Sequence, residues 1–123
     1  MIMHKIYKSL ITISSAFIGI YALAIYAFFE LGVAVHPIMK ANFKAHSAGI
    51  YLHIFPSLIA LLLGPFQFNK HIRTTKTQLH RLIGKVYLLC ILVGGLSGLY
   101  MAQFSFGGNI SHFGFALLAV LWI

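Results

Sequence analysis

Long apolar runs separated by short polar stretches shape this chain. The first run extends from Leu10 to Phe29, the second from Ser47 to Phe66, and the third from Leu82 to Phe104. A fourth starts near His112 and reaches Ile123. Between them lie a polar stretch from Glu30 to His46, a basic loop from Gln67 to Arg81, and a turn at Phe106–Ser111 containing Gly107-Gly108-Asn109. A helix that crosses a bilayer needs roughly 20 mainly apolar residues, and the first three runs have that length. The expected fold class is therefore all-α: a polytopic transmembrane helix bundle over residues 1–123, with helices at about 10–29, 47–66, 82–104 and 112–123. Pro56 should kink the second helix by freeing the carbonyl of Leu52, and Gly64-Pro65 should mark its end.

The fourth run is short. From His112 to Ile123 a helix covers about 18 Å, against a hydrocarbon core of about 30 Å. It ends on Leu121-Trp122-Ile123 with no basic residue. We read it as a truncated fourth span, and the chain as a fragment of a longer domain. The alternative is a Trp122 seated at the interface of a thinned bilayer. The first run also has two readings. Lys5 and Lys8 precede it and Ala22-Leu23-Ala24 resembles a cleavage site, as in a signal peptide. Its apolar length exceeds a secretory core of about 7–15 residues, which favours an uncleaved anchor.

Composition agrees with the pattern. Of 123 residues 60% are hydrophobic and 8% charged, against about 25% charged in soluble domains. Such a chain cannot clothe a water-facing surface, whereas lipid requires no charge. The net charge of +8 comes from nine basic residues against Glu30 alone. The basic residues punctuate apolar runs instead of forming one polar face, so a nucleic-acid partner is not expected. Lys5, Lys8, Lys70, Arg73, Lys76, Arg81 and Lys85 fall at one set of helix ends, and only Lys40 and Lys44 at the other: seven against two. The positive-inside bias then places the N-terminus and the basic loop in the cytoplasm. The expected location is the cytoplasmic membrane, multi-pass, with the lipid bilayer as main partner and a membrane-protein partner or second copy open.

Chemistry is constrained by what is missing. Cys90 is the sole cysteine, set in an apolar run, so an intrachain disulfide and a cysteine-based tetrahedral zinc site are excluded by count. There is no Asp; neither a Ser-His-acid set nor a carboxylate relay at depth is encoded, and no catalytic residue is assigned.

The polar positions inside the helices are patterned. His46, Gly49, His53, Ser57, Ala60, Gly64 and Gln67 recur at steps of three and four, as do His80, Gly84, Tyr87, Ile91, Gly94, Gly98 and Ala102. Small-and-polar stripes of this kind face neighbouring helices. Of seven histidines, His4, His36 and His71 are expected in solvated or headgroup positions. His53 lies about 10 Å along its helix from His46, at a depth where ionisable groups are functional candidates. Neutral imidazole ligates metals and haem, and bis-histidine haem sites take one ligand from each of two facing helices at equal depth. His46 and His112 meet the depth condition; His53 and His80 find no histidine at their level. The bland reading is that His53 bonds a backbone carbonyl, although that of Leu52 is poorly placed on the same helix. For His80, interfacial anchoring competes with haem or quinone contact.

The segments Leu63-Gly64-Pro65-Phe66-Gln67-Phe68 and Leu79-His80-Arg81-Leu82-Ile83-Gly84-Lys85-Val86-Tyr87, together with His53, resemble the bacterial predicted-membrane-protein family of unknown function DUF2306. Gly94-Gly95-Leu96-Ser97-Gly98-Leu99 and Gly114-Phe115 through Leu121-Trp122 fit as well, so the resemblance runs from about Ala45 to Ile123. It implies further helices and a second His-Arg-rich motif, which would supply partners for His53 and His80. By analogy with transmembrane b-type cytochromes, the functional expectation is a b-type haem-binding or redox-linked membrane protein. Its cofactor ligands would be His53 and His80, with His46 and His112 secondary. The alternative is a non-redox transporter or assembly subunit whose histidines only hydrogen-bond.

Overall fold

A computed structural model describes the backbone of residues 2–123 and the side chains from Lys5 onward; the expectation for His4 falls outside the described side chains. Among the described residues six helices follow in order: α1 (Ile2–Phe28), α2 (Pro37–Ala45), α3 (Ser47–Gln67), α4 (Lys70–Thr75), α5 (Thr77–Ala102) and α6 (Gly108–Trp122). No strand occurs among the described residues. Helices α1, α3 and α5 are long and apolar enough to cross a membrane, while α6 is a shorter apolar helix.

The apolar runs locate these helices but not all of their ends. α5 starts at Thr77, five residues before Leu82, and α6 starts at Gly108, not near His112. Hydropathy tracks the bilayer, whereas helical hydrogen bonding continues into the polar flanks. The two polar stretches that separate the spans hold short helices. α2 is announced by His36 as N-cap, its ring accepting from the Ile38 N–H, by Pro37 in the first turn and by Lys44 in the last. α4 is capped by Asn69, whose side chain accepts from the N–H groups of His71 and Ile72. Pro65 sits inside the last turn of α3, which runs on to Gln67.

The two stripes face each other across α3 and α5 in antiparallel register. A Cβ on Gly49 would meet Tyr100 and Met101; on Gly98, His53; on Gly94, Ser57; on Gly64, Tyr87; on Gly84, Gln67. Small residues here let the backbones approach, which is what drives association where no hydrophobic effect separates helix from lipid. α1 packs on α3 through Gly19 against Leu58 and Leu62, and α6 packs on α5 with Trp122 and Ile123 over Gly95. The buried apolar set is small: Ile50, Leu58, Ala60, Cys90, Met101, Ala102 and Ala119. Large side chains point outward instead, Phe17 at 73% and Phe28 at 81% exposure. In water that surface would be prohibitive; in a bilayer it is the solvent-facing surface.

Helix α2 lies across one end of the bundle and is fastened there from both sides. The Asn42 amide donates to the Phe104 carbonyl at 2.7 Å, and the Phe106 N–H reaches the Met39 sulfur at 3.1 Å. His36 stacks on Phe106, ring centres 5.4 Å apart. Glu30 pairs with Lys40 at 2.9 Å and with Lys44. Hydrogen bonds from Lys44 and Lys40 hold the Glu30 carboxyl down to a pKa of about 2.

A candidate apolar binding cavity around His53

α3, α5, α6 and the underside of α2 border a half-open cavity of about 450 Å³. Met39 and Phe43 roof it from α2; Ile50, His53 and Ser57 line it from α3. α5 supplies Gly95, Gly98, Met101 and Ala102, and α6 supplies Phe115, Leu118, Ala119 and Trp122. No Lys, Arg, Asp or Glu is among the lining residues. The size and the apolar lining with few polar groups are those of a small-molecule site.

His53 is the main polar feature. Its Nδ1 donates to the Gly94 carbonyl at 2.7 Å, across the α3–α5 interface. The carbonyl partner anticipated for this ring thus exists, but on the facing helix and not at Leu52. A carbonyl oxygen can only accept, so Nδ1 carries the proton and Nε2 of the neutral ring keeps its lone pair. Nε2 has no hydrogen-bond partner among the described residues. Gly98 makes the ring's position available: a Cβ there would lie 2.8 Å from Nδ1. One turn along α3 the Ser57 hydroxyl is buried and also unpartnered.

The other candidate histidines are placed differently. His46 stacks face to face on Phe104, centroids 3.6 Å apart, and its Nδ1 is hydrogen-bonded to the Tyr100 hydroxyl at 3.0 Å. His112 Nε2 donates to the Ser105 carbonyl at 2.9 Å. These two flank the Phe104–Ser105 segment at the same end of the bundle, each occupied by a local partner. His80 lies near the far end of α5, its Nδ1 buried without a partner, as is Gln67 Nε2 at the end of α3. Gly98 marks the level of His53 on α5, and the 18 helical residues from there to His80 correspond to about 27 Å. The structure therefore does not bring His53 and His80 to one centre. No group of three or more His, Cys, Asp or Glu able to hold a metal occurs among the described residues. His36 and His71 are exposed, as their polar surroundings suggested.

The stripes point to His53, Ser57 and Gly98, but the roof residues Met39 and Phe43 give no signal, because the Glu30–His46 stretch reads as loop. Trp122, for which an interfacial seat is the alternative to a truncated span, lines the cavity.

No curated protein and no solved structure matches the chain. The family of predicted membrane proteins DUF2306 matches residues 50–123. That region contains most of the span α3, the whole of α5, the helix α6, and the cavity residues from Ile50 to Trp122. The chain belongs to this family of predicted membrane proteins.

Proposed function

We propose that this membrane protein is a binding module that takes an apolar small molecule from the bilayer into the cavity beside His53. The observation that carries the reading is the half-satisfied ring: Nδ1 fixed on the Gly94 carbonyl, Nε2 without a partner in an apolar cavity. Nε2 is accessible, so a ligand arriving through the cavity can bond it and gain about 0.5–1.5 kcal/mol. The charge count supports an orientation with the N-terminus and the α4 loop in the cytoplasm; in a bacterial inner membrane so oriented, the cavity would lie in the outer half of the bilayer.

A b-type haem, which the histidine pattern suggests, fits only in part. An imidazole held by its Nδ1 on a carbonyl is oriented as metal-ligating histidines usually are. The carboxylates of a haem, however, would meet no Lys or Arg in this lining. The Met39 sulfur is engaged by Phe106, and the Met101 sulfur packs over Gly49. The non-redox alternative, in which histidines only hydrogen-bond, is supported at His46 and His112, each of which has one ring nitrogen bonded to a local partner. What sets His53 apart is that its ring lines the apolar cavity, which those of His46 and His112 do not.

Purified protein extracted with organic solvent tests the proposal. One apolar molecule per chain is expected in the extract, and Ala119→Phe, which fills the cavity, should reduce it. An extract with no such molecule, or one indifferent to the filled cavity, removes the proposal. A Soret band that disappears in His53→Ala would replace it with haem.

A further inference from the structure

We infer that the molecule held at His53 presents a hydroxyl group, donated to Nε2. The inference rests on the cavity being a binding site, and it fixes the chemical class of what is bound. The Gly94 carbonyl settles the tautomer, so in the neutral ring Nε2 is an acceptor and nothing else. A ketone, ester or ether oxygen would set lone pair against lone pair. Of the oxygen groups an apolar molecule carries, a hydroxyl meets this nitrogen.

Ser57 lines the same cavity one turn along α3, but its hydroxyl is shut off from it and faces Gly94, where a Cβ would stand 2.6 Å from the oxygen. Ser105, also in the lining, is already committed: its hydroxyl donates to the Ala102 carbonyl. The remaining lining is apolar, so the rest of the ligand is hydrocarbon. A long-chain alcohol, a sterol-like alcohol or the reduced, dihydroxy form of a lipid quinone belongs to this class. The dicarbonyl form of that quinone does not.

Trp122 is the only tryptophan of the chain and lines the cavity, so its fluorescence reports occupancy. Bromododecanol and its methyl ether, both quenchers of indole, differ in whether the oxygen has a hydrogen to donate. Titrated into detergent-purified protein at matched concentration within the micelle, the alcohol should bind roughly three- to tenfold tighter than the ether. His53→Asn retains an amide donor for Gly94 and deletes Nε2; it should level the two probes. Saturable binding of equal strength for alcohol and ether in the unsubstituted protein overturns the inference while leaving the cavity a binding site. A preference that survives His53→Asn overturns the role of Nε2. Absence of saturable quenching by either probe overturns the binding site itself, and the inference with it.

Discussion

His53 and Gly98 are matched so closely that a methyl group on Gly98 would stand 2.8 Å from the imidazole Nδ1 and 2.9 Å from Cε1. The glycine is therefore part of the histidine's seat. It frees the volume in which the ring reaches the Gly94 carbonyl.

Gly98→Ala is expected to push the ring off that carbonyl and destabilise the protein by about 1–3 kcal/mol, the usual cost of overpacking. Thermal unfolding in detergent measures it. A methyl group placed on Gly114 of α6 would meet nothing within 4 Å, so Gly114→Ala is the control. It should be neutral or stabilising by up to about 1 kcal/mol through helix propensity. Equal effects at the two sites would show that Gly98 has no special relation to His53.

Asn42→Ala removes the amide that caps the Phe104 carbonyl at 2.7 Å. A loss of about 0.5–1.5 kcal/mol is expected, concentrated in the fastening of α2. Hydrogen exchange should accelerate in α2 while α3 and α5 stay protected. Uniform acceleration throughout would contradict α2 being a separately tethered roof.

The Glu30 pairs give a pH dependence of definite sign. The folded carboxyl titrates at about 2, below its ordinary value of 4.5. Its contribution is therefore complete above the ordinary value and is lost as pH falls from there toward 2. Glu30 and its lysines are solvent-accessible, so added salt should weaken the effect. Melting temperatures of the unsubstituted protein and Glu30→Gln should converge as pH falls to about 2 and in high salt. A difference that grows on acidification reverses the sign and refutes the pairing.

Gln67 Nε2 and His80 Nδ1 are buried without partners near one end of the α3–α5 interface. Replacing an orphaned polar group by an apolar one of similar shape costs little. Gln67→Met should therefore be neutral or stabilising by up to about 1 kcal/mol in a thermal melt. A loss above about 1 kcal/mol would reveal a partner for the amide.

Orientation is tested by labelling. Thr75 and Asn109 are exposed at opposite ends of α5 and its flanks, and Cys90 is buried. With an impermeant maleimide on intact cells, Asn109→Cys should react and Thr75→Cys should react only after permeabilisation. The opposite pattern would invert the topology.

Much of this architecture is legible along the chain because a bilayer makes hydropathy and length nearly sufficient to locate a span. The small-and-polar stripes on α3 and α5 also identify their mutual faces, since a three-and-four spacing names one side of a helix. Helix α2 escapes because it is short, of mixed polarity, and held by Asn42, Glu30 and Met39 through partners elsewhere in sequence. The histidines are legible as candidates but not in their roles. His46 and His53, seven positions apart on one stripe, differ in what α5 and its flank place opposite them: Tyr100 with Phe104 for one, the carbonyl of Gly94 for the other.

The sequence by itself determined a membrane-embedded helical protein, the positions of its three long spans, and which faces of α3 and α5 must meet, because apolar length and residue spacing are local quantities. Only the tertiary structure decided that His53 bonds Gly94, that His80 is remote from it, and that α2 and α6 border a cavity beside the ring. Those outcomes depend on the register between helices and on where an acceptor lies across the interface, and no local pattern encodes the distance between residues 41 positions apart.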